Sequence, residues 1–216
     1  MQVLRILTYM GSVILFINTV AYFTGFNQKG KASKYFALYL LATLLIQVIM
    51  EICAAGNINN HFLSTYYLFS QFIFLSYFFY YLCGNSSKRV GLAIKYLSML
   101  ITAGLALQYT FHPSLYFNFN SVGFLVTTSI LVIYSVVYLY KLLSKSLPFH
   151  YTTIGIFIYL ISTSVIFAAA SSIVQFSDAI GLFLWKINAG MFIIYQLLIL
   201  YEWKQTYFLK AMDGRS

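Results

Sequence analysis

Charge is what this sequence has least of. Only 8% of its 216 residues are Asp, Glu, Lys or Arg, while 61% are hydrophobic and the mean hydropathy is +0.82. A soluble domain carries about a quarter charged residues, so this composition cannot cover a water-facing surface. Proline is almost missing: Pro113 and Pro148 fall in expected loops and none lies inside a long apolar run. The three histidines, His61, His112 and His150, are scattered over connections assigned to different sides, which excludes a three-histidine metal site. There is no HExxH, paired-cysteine motif or carboxylate cluster to hold a metal, and no phosphate-binding glycine loop, GxSxG or Ser–His–Asp set. Glu51 and Glu202 belong to opposite ends of the expected bundle, which leaves no carboxylate pair for acid–base work beyond Asp178 with Glu51. No catalytic residue, metal or cofactor is expected, and the chain does not read as an enzyme.

What is present is apolar length. A bilayer core about 30 Å thick needs roughly 20 mostly apolar residues per spanning helix. Seven stretches qualify, at 3–26, 35–56, 63–83, 91–111, 122–143, 151–175 and 182–203, with 204–216 as a short tail. The runs are continuously apolar, without the period-two alternation of a membrane barrel. The expected fold class is all-α: a single polytopic domain over 1–216 with seven transmembrane helices.

The basic residues set its orientation. Lys29, Lys31 and Lys34 lie in or beside the first connection, Lys88 and Arg89 in the third, Lys141 and Lys145 around the fifth, and Lys204, Lys210 and Arg215 after the seventh helix. The second, fourth and sixth connections have no Lys or Arg. The positive-inside bias then puts the N-terminus outside and the C-terminus in the cytoplasm. The formal charge of +9 is thereby explained as topology signal, and nucleic acid is not an expected partner. The first helix, with a single Arg5 and no small-x-small cleavage site, reads as a retained helix rather than a leader. Cys53 and Cys83 fall near opposite membrane faces, too far apart for the roughly 7 Å Cα limit of a disulfide, so both should be free thiols.

Polar side chains should collect on the faces that helices turn toward each other. Helix 3 carries Tyr66, Ser70, Tyr77 and Tyr81 on one stripe with Tyr67 and Gln71 beside it, against an opposite stripe of Leu68, Phe72, Leu75, Phe79 and Leu82 that suits acyl chains. Helix 2 steps through Thr43, Gln47 and Glu51, helix 1 through Arg5, Thr8, Ser12 and Thr19, and helix 7 through Asn188, Tyr195 and Glu202. In helix 6, Ser164, Ala168 and Ser172 make a small-xxx-small row for close packing.

The stretch LLIQVIMEICAAGNINNHF, residues 44–62, puts a carboxylate and an amide in an apolar run. Two readings follow. One is a ligand-binding pocket in the outer half of the bundle, formed by Gln47, Glu51, Asn59, Asn60, His61, Tyr67 and Gln71. The other is ion pairing at a shared depth among Arg5, Glu51, Asp178 and Lys186, with Glu51–Lys186 as the direct pair. A retinal protein is excluded, because Lys186 is near the outer end of its helix and helix 3 offers no acid.

Several stretches resemble a family. EICAAGNINNHFLSTYYLFSQFIFLSYFFYYL, FNFNS before helix 5, PFHYTTIGIFIYLISTS into helix 6 and LWKINAGMFIIYQLLILYEW in helix 7 are similar to small seven-helix integral membrane proteins of Bacteroidetes-type bacteria. That family tends to have Glu where this chain has Gln71, and a tryptophan near His150. The resemblance implies a compact seven-helix unit in a bacterial inner (cytoplasmic) membrane and carries no activity over. The functional expectation is a non-catalytic membrane sensor or signalling partner that binds a small or lipidic ligand and docks another membrane signalling protein through its inner face, Glu202 to Lys210. Small-solute or proton-coupled transport with Glu51 titrating is the alternative, and a structural scaffold the third reading.

Overall fold

The computed structural model describes residues 2–24, 26, 30–145, 147–172 and 178–208, without the side chains of 86, 168–172, 178–179 and 207–208. The elements are α1 (Gln2–Phe23), α2 (Lys31–Ala55), α3 (Phe62–Ser86), α4 (Lys88–Phe111), α5 (Ser121–Leu142), α6 (His150–Ser172) and α7 (Asp178–Trp203). A 3-10 turn, Pro113–Tyr116, follows α4, and a π turn, Lys204–Phe208, follows α7. All seven helices are long and apolar enough to cross a membrane, and no strand occurs among the described residues. The chain is an all-α polytopic membrane protein.

Several helices start earlier than hydropathy suggests. α2 opens at Lys31 rather than 35 and α4 at Lys88 rather than 91, so Lys31, Lys34, Lys88 and Arg89 occupy first turns instead of loops. The reason is that Lys and Arg are good helix formers, so the hydrogen-bonded helix runs past the apolar segment. Lys31 places its ammonium 5.6 Å from the centre of the Tyr81 ring, and Lys34 lies 5.5 Å from that of Phe26.

The chain divides into two compact units, Met1–Thr24 with Ser135–Ser216, and Gly25–Tyr134. In the first unit α7 packs against both α1 and α6. Its α6 begins at an unusual corner. Phe149 has φ 63°, and Tyr138 donates its hydroxyl to the Pro148 carbonyl at 2.6 Å. The amides of Phe149 and Tyr151 donate to the Glu202 carboxylate, at 3.0 and 2.8 Å. A helix leaves its first amides without carbonyl partners and its dipole favours an anion there, so Glu202 serves as the cap that α6 lacks locally.

In the second unit α3 packs between α2 and α4. Its core overturns the expected orientation of α3. Leu68, Phe72, Leu75, Phe79 and Leu82, assigned above to acyl chains, are all buried, whereas Tyr66 is exposed and Ser70, Tyr77 and Tyr81 are half-buried. Phe72, Phe78 and Phe79 are fully buried, with Phe78 packed on Phe36 at 5.0 Å between ring centres. Lipid is as apolar as a core, so hydropathy does not choose between the two faces. Volume and shape decide. The tyrosines flank the core, where Tyr35 stacks on Tyr77 at 4.9 Å and on Tyr81 at 5.4 Å.

Candidate functional site

Of the residues expected to form an outer pocket, most serve the local structure of the second unit. Asn57 takes the left-handed conformation (φ 53°) that closes α2, and the Ile58 amide reaches back to the Cys53 carbonyl at 2.8 Å. The Asn59 side chain accepts from the His61 amide at 2.9 Å, and Asn60 donates to the Met50 carbonyl at 3.4 Å. The asparagines thus build the turn into α3, and His61 is exposed on it. Gln71 is buried and donates to the Tyr67 hydroxyl at 3.0 Å. Tyr67 packs on a cluster of Ile46, Cys53 and Leu63. Gln47 keeps a buried Oε1 without a hydrogen-bond partner, while Glu51, one turn on, is exposed. Neither Cys53 nor Cys83 is in a disulfide, and both are buried.

The residues expected to pair by charge are divided between the units. Arg5 and Lys186 belong to the first and Glu51 to the second. Within its own unit the Arg5 guanidinium lies 5.9 Å from the centre of the Tyr9 ring. Asp178 opens α7, and its side chain lies outside the described residues, as do those of Ala168 and Ser172 in the α6 small-residue row. Glu202, which the sequence puts both on the inward stripe of helix 7 and in the inner docking face, is buried and occupied by the Phe149 and Tyr151 amides and by the Thr206 hydroxyl at 3.0 Å.

The second unit holds a cleft of about 350 Å³ between α3 and α4. The two helices meet at their shared turn. A Cβ on Gly91 would stand 2.8 Å from the Gly84 Cα, so only glycine allows this backbone contact. Beyond the turn, Ser76, Ala103 and Ala106 are too small to fill the gap, which Tyr77, Tyr80 and Met99 wall. Lys95 enters this cleft, seven residues past the Lys88 start of α4 and so about 10 Å along the helix. No carboxylate lines the cleft. Ser98 pairs with the Tyr134 hydroxyl at 3.0 Å, and Thr102 donates to the Ser98 carbonyl at 2.8 Å. The Ser76 hydroxyl, on a side chain only 3% exposed, has no hydrogen-bond partner.

No protein-family model, curated protein or solved structure matches this chain.

The cleft joins a cation, the unpartnered Ser76 hydroxyl and an apolar wall, an arrangement suited to binding an amphiphile. Sequence reading passed over Lys95 because the other lysines mark connections and helix ends. The signal was there: a lysine inside the 91–111 run, with Ser98 and Thr102 three and seven residues on. At the opposite end of the same helix pair, Tyr66 and Tyr116 share a hydroxyl–hydroxyl hydrogen bond of 2.7 Å. That bond, chiefly, holds the Tyr116 phenol above its ordinary pKa.

A second polar group lies in the first unit. Asn18 and Gln196, both fully buried, join α1 to α7: the Asn18 amide donates to the Gln196 Oε1 and to its backbone carbonyl, each at 2.8 Å. The remaining Asn18 Oδ1 and Gln196 Nε2 have no partner. Nearby in sequence on α7, Asn188 accepts from Thr163 at 3.4 Å.

Proposed function

We propose that this chain is a non-catalytic membrane sensor that binds an acidic amphiphile between α3 and α4 and passes the event to another membrane protein. One observation carries the reading: Lys95 stands inside a spanning helix, on a cleft with no carboxylate to neutralise it. A cation at that depth is costly unless it meets an anion or reaches the interface, and such residues mark ligand or ion sites. The unpartnered Ser76 hydroxyl is buried in the α3 wall of the same cleft. Met99, Ala103 and Ala106 continue as an apolar wall for the amphiphile's tail.

The lysine pattern supports an N-out, C-in threading, in what the family resemblance implies is a bacterial inner membrane, and that threading puts the α3–α4 turn and Lys95 toward the cytoplasmic leaflet. The proposed ligand site is therefore in the inner half of the bundle, not in the outer half first expected. A bundle without its own chemistry passes on a binding event only through contact, hence the partner.

The test is lipid retention. Native mass spectrometry of the maltoside-solubilised chain should show phosphatidylglycerol retained more than phosphatidylcholine, and Lys95→Met should remove that preference. Equal retention of both lipids by wild type and variant would defeat the reading.

Transport of a small solute or proton is a second reading, favoured by the fully buried Asn18–Gln196 pair with its two unpartnered atoms. Uptake into proteoliposomes that Asn18→Leu abolishes and Lys95→Met spares would favour transport over sensing.

A further inference from the structure

The other end of the α3–α4 pair holds a larger, differently built cavity of about 560 Å³. Its walls are Tyr66 and Phe69 of α3, Tyr109 of α4, and Tyr116 and Phe117 of the turn that follows. Three of these rings pack edge to face as part of an aromatic box. Tyr66 and Tyr116 stand at 79° with centres 6.0 Å apart, and Tyr116 and Phe117 at 86° with centres 5.1 Å apart. The box is open, since Tyr66 is 51% and Phe117 64% exposed. Neither a basic nor an acidic side chain lines it.

The ring faces carry the negative end of the aromatic quadrupole, and five aromatic rings line this one open cavity. A cation whose charge is spread over methyl groups fits this best, because it sheds its hydration cheaply and loses no hydrogen bonds on entry. A primary ammonium would need several acceptors, and the hydroxyls on the wall are already hydrogen-bonded among themselves, Tyr66 with Tyr116 at 2.7 Å and Thr65 to Tyr109 at 3.4 Å. The geometry points to this aromatic box as a binding site for quaternary ammonium groups, free or on a lipid head group. This site is independent of Lys95, at the other end of the helix pair, and stands or falls separately from the acidic-amphiphile site.

The full chain in dodecyl maltoside, which has no choline group, is titrated with choline chloride by saturation-transfer NMR. In parallel it is titrated with 3,3-dimethylbutan-1-ol, the uncharged isostere. Choline should saturate in the low millimolar range and the alcohol about tenfold more weakly. Tyr66→Leu and Tyr116→Leu should each weaken choline about tenfold, whereas Tyr109→Phe, which keeps its ring, should stay within about twofold. If Tyr66→Leu does not fold, Phe117→Leu beside Tyr66→Phe poses the same question, with loss expected only for the former. The alcohol binding as tightly as choline, or ring-removed variants that elute as folded protein with unchanged choline binding, would overturn the site. Repeating the titration in nanodiscs separates the sources. Choline binding weakened in phosphatidylcholine relative to phosphatidylglycerol discs assigns the site to the lipid head group, and equal binding assigns it to the soluble cation.

Discussion

Glu202, in the last turn of α7, accepts the Tyr151 amide of α6 at 2.8 Å, and its second oxygen takes the Phe149 amide at 3.0 Å. One carboxylate thereby serves as the cap of another helix 51 residues earlier in the chain. The side chain is 4% exposed, so each of these bonds forms away from competing water. Thr206, one turn further on, donates to the same carboxylate and ties the π turn to this corner.

Removing that carboxylate should loosen the start of α6. Glu202→Ala leaves buried amides without an acceptor and should cost about 2–3 kcal/mol, combining cap loss with unpaired donors. Glu202→Gln keeps one acceptor oxygen and should cost roughly half as much. Reversible unfolding in mixed micelles reads both, and an alanine variant as stable as wild type would show that the corner holds without the carboxylate.

Two glycines of α4 make a matched pair. Gly91→Ala drives a methyl to 2.8 Å from the Gly84 Cα, a clash with backbone that cannot swing away, and should cost roughly 1–3 kcal/mol. Gly104 has nothing within 4 Å of an added Cβ, so Gly104→Ala should be neutral or stabilise by up to about 1 kcal/mol. Thermal denaturation in maltoside distinguishes the two, and equal shifts in Tm would contradict the close approach.

Asn18 and Gln196 should behave as a coupled pair. Asn18→Leu or Gln196→Leu alone strands a polar partner in a dry interface, whereas the double variant removes both groups. A double-mutant cycle should give a coupling of about 0.6–1.7 kcal/mol, the range for interhelical hydrogen bonds in membranes. Strict additivity of the two single losses would mean that the 2.8 Å contact contributes nothing to stability.

The threading is open to direct labelling. Because Cys53 and Cys83 are both buried, an impermeant maleimide added to intact cells should find little background thiol. Asn59→Cys, on the α2–α3 turn, should label from outside, and Ser87→Cys, on the α3–α4 turn, only after the membrane is opened. The reverse pattern would invert the chain and move the Lys95 cleft to the outer leaflet.

Much of the architecture was legible before any coordinates. The seven spans lie where hydropathy puts them, because apolar length against bilayer thickness is a one-dimensional criterion. The failures at helix ends, such as Lys31 and Lys88 inside first turns, come from equating helix with apolarity. The outer-pocket residues were harder to read, since Asn59, Asn60 and His61 look like ligand groups in sequence yet serve a turn in space. Lys95 was hidden among topology lysines, and Asn18 and Gln196, 178 residues apart, pair only in the fold.

By itself the sequence determined how often the chain can cross a bilayer, roughly where it turns, and that its two thiols should stay apart. Those properties depend on local composition and on reach along the chain. The tertiary structure alone decided which face of α3 is interior. Phe72 and Phe79 went in and Tyr66 went out, the reverse of the expectation, because a membrane removes the contrast between core and surroundings. Packing volume and the need to satisfy each buried polar group then choose the faces, and both are properties of neighbours brought together by the fold.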